Sequence, residues 1–502
     1  MARPGDLVVD ETPLDGARID VPARIGWLLR ISRQVAGVSL ADVADRLAAA
    51  GGVRTSVTAL SRLERAGGRN GQVVDAYEEA LGLERGRLRA PIELLGRGFP
   101  YAPVDRAPLP AEPADLARFD RVVEAVEGPH PRGGDWVALA REHDEPMPFG
   151  VPGRTMRSLL ERLAEETGRS VGLAFFMRRE ALRRLRATPY GDLVEELARQ
   201  VLADPDAQVH VDVLSVLAER PTRSVLELAT SVLTSDSFLA ARGGALAIER
   251  MAGIGALTEA DWLERLPLLV DAVEAANGDP HRQAMLSSVL HSLPPAVGRE
   301  ARSRIDVRLL QPRVPASWTP TRRNQHYTYA EQLARTVSQD VDLPEQPMLT
   351  RLLFEVLYDF RAVRAISSGA ILLASPFHRA LPRALQEAVV EAPDETTRAG
   401  ALASPAHVPM AWEELDLARW FAVGAPDVDA GALVAAGQGG IQVPEEKLAA
   451  ALEDPRLRDR ATYAAGMAQH PVLRRWVDDP AQPKRVRTAA AWWLRHGGRI
   501  TR

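Results

Sequence analysis

The residues best equipped for chemistry stand in one run, Ser56-Val-Thr-Ala-Leu-Ser-Arg-Leu-Glu-Arg-Ala-Gly67. Helical spacing puts Leu60 and Leu63 on one face and turns Val57, Thr58, Ser61, Arg62 and Arg65 elsewhere. The outward types are those that read nucleic acid. A guanidinium such as that of Arg62 can pair bidentately with a guanine edge, and the methyl groups of Val57 and Thr58 can touch thymine. A DNA major groove admits one helix, and the N-terminal end of that helix meets the base edges. Ser56 suits a helix cap and a phosphate alike, because the first N–H groups of a helix carry partial positive charge. Arg54 and Arg69 flank the run and join Ser56, Ser61 and Arg65 as candidate contacts to the DNA backbone. Plainer readings stand beside these: Arg62 as a solvated surface side chain, and Val57 as a partly buried one.

Such a face is useful only if other elements hold its back. Pro22 suits a first helical turn, and Ile25, Leu28, Leu29, Ser32 and Val35 follow at helical spacing up to Gly37. Ser39 is the expected N-cap of a second helix with Leu40, Val43, Ala44 and Leu47 inward. Residues 48–55, with Gly51-Gly52, connect it to a third helix from Ser56 to about Arg65. A glycine-rich turn at 67–71 precedes a fourth helix marked by Val73, Val74, Tyr77, Ala80 and Leu81. Leu88, Ile92 and Leu95 mark a fifth. From Arg24 to Arg97, twelve arginines face eight carboxylates, a balance of +4 inside a chain of net charge -5. That local excess is what attraction to a phosphate backbone requires.

Taken in that order, residues 25–83 resemble the helix-turn-helix domain of the Cro/C1 (XRE) repressor type. The matching features are Arg33 near the end of the first helix, Ser39-Leu-Ala-Asp-Val-Ala44 as the second, Ser56 to Gly67 as the recognition helix, and Ala80-Leu-Gly-Leu83 closing the fourth. The resemblance implies that Val57, Thr58 and Arg62 read bases. It also implies that Glu64 pairs with Arg33 and locks the third helix onto the first, rather than touching DNA. Two features depart from the family: the 48–55 connection is longer than its tight turn, and Leu40 stands where a polar residue is usual.

Nothing else in the chain carries a comparable signal. Cysteine is absent, which excludes disulfides, thiolate catalysis and Cys-ligated zinc. The ten histidines lack metal-ligand spacing, and neither His-Glu-x-x-His nor Gly-x-Ser-x-Gly occurs. Gly437-Gln-Gly-Gly440 lacks the Lys-Ser/Thr of a phosphate loop and reads as a turn. No reaction can be named; the expectation is a non-enzyme with no cofactor and no metal. Arg178-Arg-Glu-Ala-Leu-Arg-Arg-Leu-Arg186 reads as a solvated basic face with Leu182 and Leu185 buried, and a phosphate grip is the other reading. Lys484-Arg-Val-Arg487 with Arg495, Arg499 and Arg502 reads the same way. Lysine occurs only at 447 and 484, so the arginine excess has a compositional explanation, that of a GC-rich coding sequence. Trp492-Trp493 reads as a core cap on a last repeat.

The expected fold is all-α: a five-helix helix-turn-helix domain over 22–98, then an irregular α-solenoid of stacked helix pairs over 153–502. Residues 1–21 read as a disordered arm without the apolar segment of a secretory signal. Residues 99–152 read as a Pro-rich linker with one short helix near 116–126. Asp-Pro recurs at 204, 279, 454 and 479, where Asp would cap a helix and Pro open it. Residues 311–347 read as an interruption of the stack. No run reaches the length of a spanning helix, so a cytoplasmic, nucleoid-associated protein is expected. The function these readings imply is a DNA-binding transcriptional regulator, dimeric on double-stranded operator DNA, whose solenoid binds a protein or small-molecule effector. The alternatives are a DNA-tethered scaffold (antitoxin-like or polymerase-contacting) and a helical-repeat nucleic-acid enzyme.

Overall fold

Apolar residues recur every three or four positions along most of the chain, and each such stretch can bury its stripe only against another helix. The outcome, a computed structural model, describes residues 7–49, 55–67, 71–99, 115–144, 150–204, 206–412 and 414–502. Among them lie 27 α-helices and no strand; the one β-bridge joins Ser170 and Ile500. The all-α expectation holds. No helix among the described residues is long and apolar enough to cross a membrane.

The first five helices are α1 (Val21–Val35), α2 (Leu40–Ala49), α3 (Val57–Ala66), α4 (Gly71–Ala80) and α5 (Arg89–Gly98). Their starts follow from local chemistry. Asp20 accepts the Ala23 N–H (2.9 Å) at the head of α1, and Ser39 and Asp42 exchange bonds as a capping box before α2. Ser56 caps α3 through the Ala59 N–H (3.2 Å). Glu78 on α4 accepts the Gly86, Leu88 and Arg89 N–H groups at 2.7–3.0 Å and so fixes the start of α5.

Helix α1 is buried on every side from Ala23 to Leu29. One side meets α3, α4 and α5, and the other meets the 362–374 helix. Trp27 stacks on Phe377 (6.0 Å, 7°) and donates to Gln346 (3.3 Å). At its heart Arg24, fully buried, donates to both oxygens of Glu355 (2.7 Å each), to Asp10 (2.6 and 2.8 Å) and to Ser368 (3.0 Å). The first five helices are therefore welded to the remainder rather than set off by a boundary near 98.

Two expectations of loose chain are corrected here. Residues 7–20 form a strap, not a disordered arm. Val8 and Ile19 are buried, Arg351 donates to the Thr12 carbonyl (2.7 Å), and Arg361 and Arg364 each donate to the Gly16 carbonyl (2.6 Å). Backbone carbonyls, which composition cannot score, take up those guanidinium groups. Within the 99–152 stretch, α6 (Leu116–Glu127) and α7 (Gly133–Arg141) pack into the core. Trp136 on α7 is fully buried and donates to Glu166 (2.9 Å). The prolines at 100–113 and 146–148 lie outside the described residues.

From residue 153 onward, helices pack on their sequence neighbours and on the next but one, a repeat-like stacking. Small residues set the spacing. A Cβ at Gly244 would run into Val232 and the Ala229 carbonyl, and one at Gly466 into the Trp493 ring. Arginines at two helix starts tie the helix to the end of its predecessor: Arg398 donates to the Val389 carbonyl (3.1 Å) and Arg458 to that of Leu452 (2.9 Å). Only one Asp-Pro pair behaves as expected: Asp279 caps the Pro280–Ser292 helix. Asp204, Asp454 and Asp479 instead follow helix ends and accept the N–H two residues on (2.9 Å each), the geometry of an Asx turn. Gly437 and Gly439 lie inside the Pro426–Gly439 helix rather than in a turn, against Tyr463 and the Trp412 carbonyl. The expected interruption at 311–347 narrows, because Pro320–Asp340 is a single 21-residue helix. Trp493 is buried against Tyr463 and Trp492 in the last helix.

The basic run 178–186 lies on α9 (Leu173–Ala187), which follows α8 (Gly153–Arg169). Neither a solvated face nor a phosphate grip describes it. Arg178, Arg184 and Arg186 are at most 1% exposed, since α9 is enclosed by α5, α7 and α8. Arg184 donates to Glu93 (2.7 Å) and Glu180 (3.0 Å) and pairs with Asp144, while Arg97 of α5 pairs with Glu180. Arg178 donates to Glu166 (3.0 Å) and to the carbonyls of Pro131 and Arg502 (2.8 Å each). Ile500 and Arg169 share a backbone bond (2.8 Å), so the last residues close back onto α8 and α9.

Glu355→Ala should cost about 3–5 kcal/mol, because it leaves Arg24 and Arg351 buried without their shared carboxylate; thermal unfolding of the full chain checks this. Burial pushes the Asp10 and Glu355 carboxyls up, but Arg24, Arg351 and their hydroxyl donors hold both below their ordinary values of 3.8 and 4.5. The unfolded chain therefore takes up protons first. This stability is present above pH 4.5 and is lost as pH falls through the depressed values. Asp10→Asn should flatten that acid limb of the melting-temperature profile.

Candidate nucleic-acid interface

Helix α3 is held by its inner face. Leu60 is fully buried and Leu63 half-buried, one turn apart, against α1. The two helices approach closely because Gly26 of α1 faces the Glu64 backbone, where a Cβ would sit 2.6 Å from the carbonyl oxygen. At the far end Gly67 terminates α3 with φ +68°, and a Cβ there would collide with the Pro22 carbonyl. Glycine at 67 is thus required twice, by conformation and by space.

Between these contacts lies a polar knot. Arg33 donates through Nε and Nη2 to the two Glu64 oxygens (2.6 and 2.7 Å), and through Nη1 to the Val38 carbonyl (3.0 Å). The Tyr77 hydroxyl of α4 donates to Glu64 Oε1 (2.8 Å). The Glu64 bond strengthens Arg33 as a base, and burial together with the Glu64 charge pushes the Tyr77 hydroxyl well above its ordinary value. Three helices converge on one carboxylate that is 3% exposed, so no lone pair of it faces outward as a DNA contact would need.

The outer face carries the candidate contacts. Val57 is 45% exposed, and Thr58, Arg62 and Arg65 are exposed with it. Arg62 makes no hydrogen bond or ion pair. Arg65 folds back on its own helix and donates to the Ser61 hydroxyl (3.1 Å) and carbonyl (3.3 Å). Ser61 is therefore half-buried and already occupied, and Ser56 is engaged as the cap. Arg54 and Arg69 lie outside the described residues.

The local charge excess shrinks in three dimensions. Arg24 and Arg97, two of the twelve arginines, are neutralised inside the protein by Glu355, Asp10, Glu180 and Glu219, all outside residues 24–97. Sequence counting cannot see such long-range partners. It also passed over His326, which stacks on Tyr358 (4.2 Å, 4°) beside Asp394 (3.2 Å). That aspartate already caps the Glu395–His407 helix through the Thr397 N–H, and the Thr397 hydroxyl is bonded to Tyr358. The group thus joins three helices and holds no free nucleophile. No group of three metal-ligating side chains occurs among the described residues.

Comparison with family models, curated proteins and solved structures returns no match for this chain.

Glu64→Ala should destabilise the protein by on the order of 3 kcal/mol, since Arg33 and Tyr77 lose their common partner. Arg62→Ala should change stability by less than about 0.5 kcal/mol. Paired melting curves test the division of labour: a destabilised Arg62 variant, or an undisturbed Glu64 variant, would reverse the assignment of the two faces.

Proposed function

We propose that this chain is a sequence-specific DNA-binding regulator in which α3 enters the major groove and the helical stack from residue 153 onward carries the dimer contact and an effector or partner. The observation that carries the reading is the division of α3. Its inner side is fixed by Leu60, Glu64 and Gly67, while Val57, Thr58 and an unpaired Arg62 stand exposed on the outer side. Methyl groups and a guanidinium on the first two turns of a rigidly backed helix are complementary to base edges. Resemblance of residues 25–83 to Cro/C1-type helix-turn-helix domains supports the same assignment. In this reading Arg65 and the α3 N-terminus approach phosphate. Arg65 has to leave Ser61 to do so, which costs little for an exposed bond.

Welding of α1 to the 347–374 helices adds to the proposal. Any event that shifts the 347–358 helix shifts Arg24 and therefore α1, against which α3 is locked. A regulator whose sensing part must alter the spacing of two recognition helices needs such a rigid transmission.

On a duplex selected from a random pool by the intact chain, Arg62→Ala should weaken binding by ~1–3 kcal/mol and relax preference at one base pair. Gel-shift titration reads both effects, and unchanged affinity and preference would overturn the role of α3. Solution mass should show two chains per site, on half-sites about 10 bp apart or a multiple of that, because one helix reads too few base pairs for genomic specificity. A single protomer on an asymmetric site would remove the dimer from the proposal.

A further inference from the structure

The stretch from Pro295 to Gln325 holds seven arginines against two carboxylates, a balance of +5 in a chain of -5. Three of the seven are neutralised: Arg304 by Glu300 (2.6 Å), Arg308 by Asp306 (2.7 Å) and Arg323 by Asp15 (3.2 Å). The other four, Arg299, Arg302, Arg313 and Arg322, are exposed and meet no carboxylate. They stand on separate elements: the Pro295–Arg304 helix, the irregular chain after it, and the first turn of the Pro320–Asp340 helix. That first turn contains no acidic residue, although helix dipoles favour carboxylates there. None of the four takes part in an ion pair within the protein. A local rule broken without internal compensation is where an external partner is expected.

The location relates this surface to α3. Arg323 is paired to Asp15, and Arg361, which lies over the Trp318 ring, grips the strap at Gly16. Five residues of strap, at most ~18 Å of chain, lead from Asp15 to Asp20 at the head of α1. There the Pro22 carbonyl lies against Gly67, the end of α3. Arg322, next to Arg323 in the chain, thus stands beside a strap contact that leads to the end of the proposed recognition helix.

We infer that Arg299, Arg302, Arg313 and Arg322 form a second DNA-binding surface that grips the phosphate backbone flanking the site read by α3. The inference rests on the DNA-binding reading above. Four dispersed, solvated guanidinium groups match a polyanion of regular charge spacing rather than one small anion, which would need them convergent and enclosed. A protein interface would need an apolar centre, and among the described side chains between Pro295 and Gln325 only Val314 is an exposed large aliphatic.

The test uses the intact chain and the selected duplex. The quadruple variant R299A/R302A/R313A/R322A should bind ~10–100-fold more weakly near 0.15 M salt. Its slope of log affinity against log salt should be shallower by ~2–4, since each phosphate contact contributes about 0.9. Base preference should not change, because phosphate contacts carry no sequence information. The corresponding quadruple lysine variant should recover most of the affinity, which separates charge from folding. An alanine variant of Arg474, Lys484 and Arg495, exposed cations without carboxylate partners at the other end of the chain, should bind as wild type. An unchanged salt slope in the quadruple alanine variant overturns the proposal. So does equal loss in the 474/484/495 variant, or selective loss of poly-glutamate binding with DNA affinity intact, which would assign the surface to an acidic protein. If Arg62→Ala binds normally while the quadruple variant does not, the α3 reading fails and this surface stands. The reverse pattern removes this surface and leaves α3.

Discussion

A single buried guanidinium joins the N-terminal helices of this molecule to its 347–374 helices. Arg24 sits in α1 with no solvent access and divides its donors among Glu355, Asp10 and Ser368. Ser368 in turn donates to Glu355 (2.5 Å), and Arg351 supplies a further bond (2.8 Å) to the same carboxylate. A charge removed from water is costly unless it is paired and its donors find acceptors. That condition fixes the register of α1 on the 347–374 helices and draws the strap in with Asp10. A well-packed apolar pair of the same volume could match it in stability but would tolerate sliding. Directional bonds do not. The orientation of α3, locked to α1 through Gly26, Glu64 and Gly67, is inherited from this junction.

The same chemistry recurs through the protein. Arginine serves here as interior cement: Arg89, Arg97, Arg178, Arg184, Arg186 and Arg364 are all buried. Each faces carboxylates or backbone carbonyls at helix ends. A guanidinium suits this task because its five donors lie in one plane and it remains charged when buried. Helix C-termini leave carbonyls unsatisfied, and Arg398 and Arg458 from the following helices reach two of them. The large arginine content of the sequence is thus divided among an interior population that joins helices, exposed arginines paired with surface carboxylates, and exposed arginines that meet none.

That division bears on function. Arg62 and the four unpaired arginines between 299 and 322 are exposed and uncompensated, whereas the densest basic run, on α9, is fully consumed inside. Local charge density along the sequence is therefore a poor guide to surface potential. What counts is which guanidinium groups the fold leaves without carboxylates, and only those can release counterions from a polyanion.

Much of the secondary structure was legible from the sequence because its causes are local. Apolar spacing, Pro22 in a first turn, Ser39 and Ser56 as caps, and Gly37 and Gly67 as ends define α1 to α3 within a few residues. The outward side of α3 follows from 3.6-residue periodicity alone. Even the partnership of Arg33 and Glu64 lies within reach of a family resemblance. Other features depend on residues hundreds of positions apart. Nothing near residues 7–20 announces that Arg351, Arg361 and Arg364 will bind their carbonyls, so a segment of polar composition read as an arm. Nothing near 178–186 announces that α5, α7 and α8 will enclose it, so a buried ionic layer read as a solvated face. Asp-Pro looks the same whether it opens a helix, as at 279, or follows one, as at 454. The sequence by itself determined that the chain is helical and which side of α3 faces outward, since propensity, caps and periodicity act over a few residues. Only the tertiary structure decided which charges are spent inside and which remain for a partner, because desolvation and pairing depend on what lies across the fold.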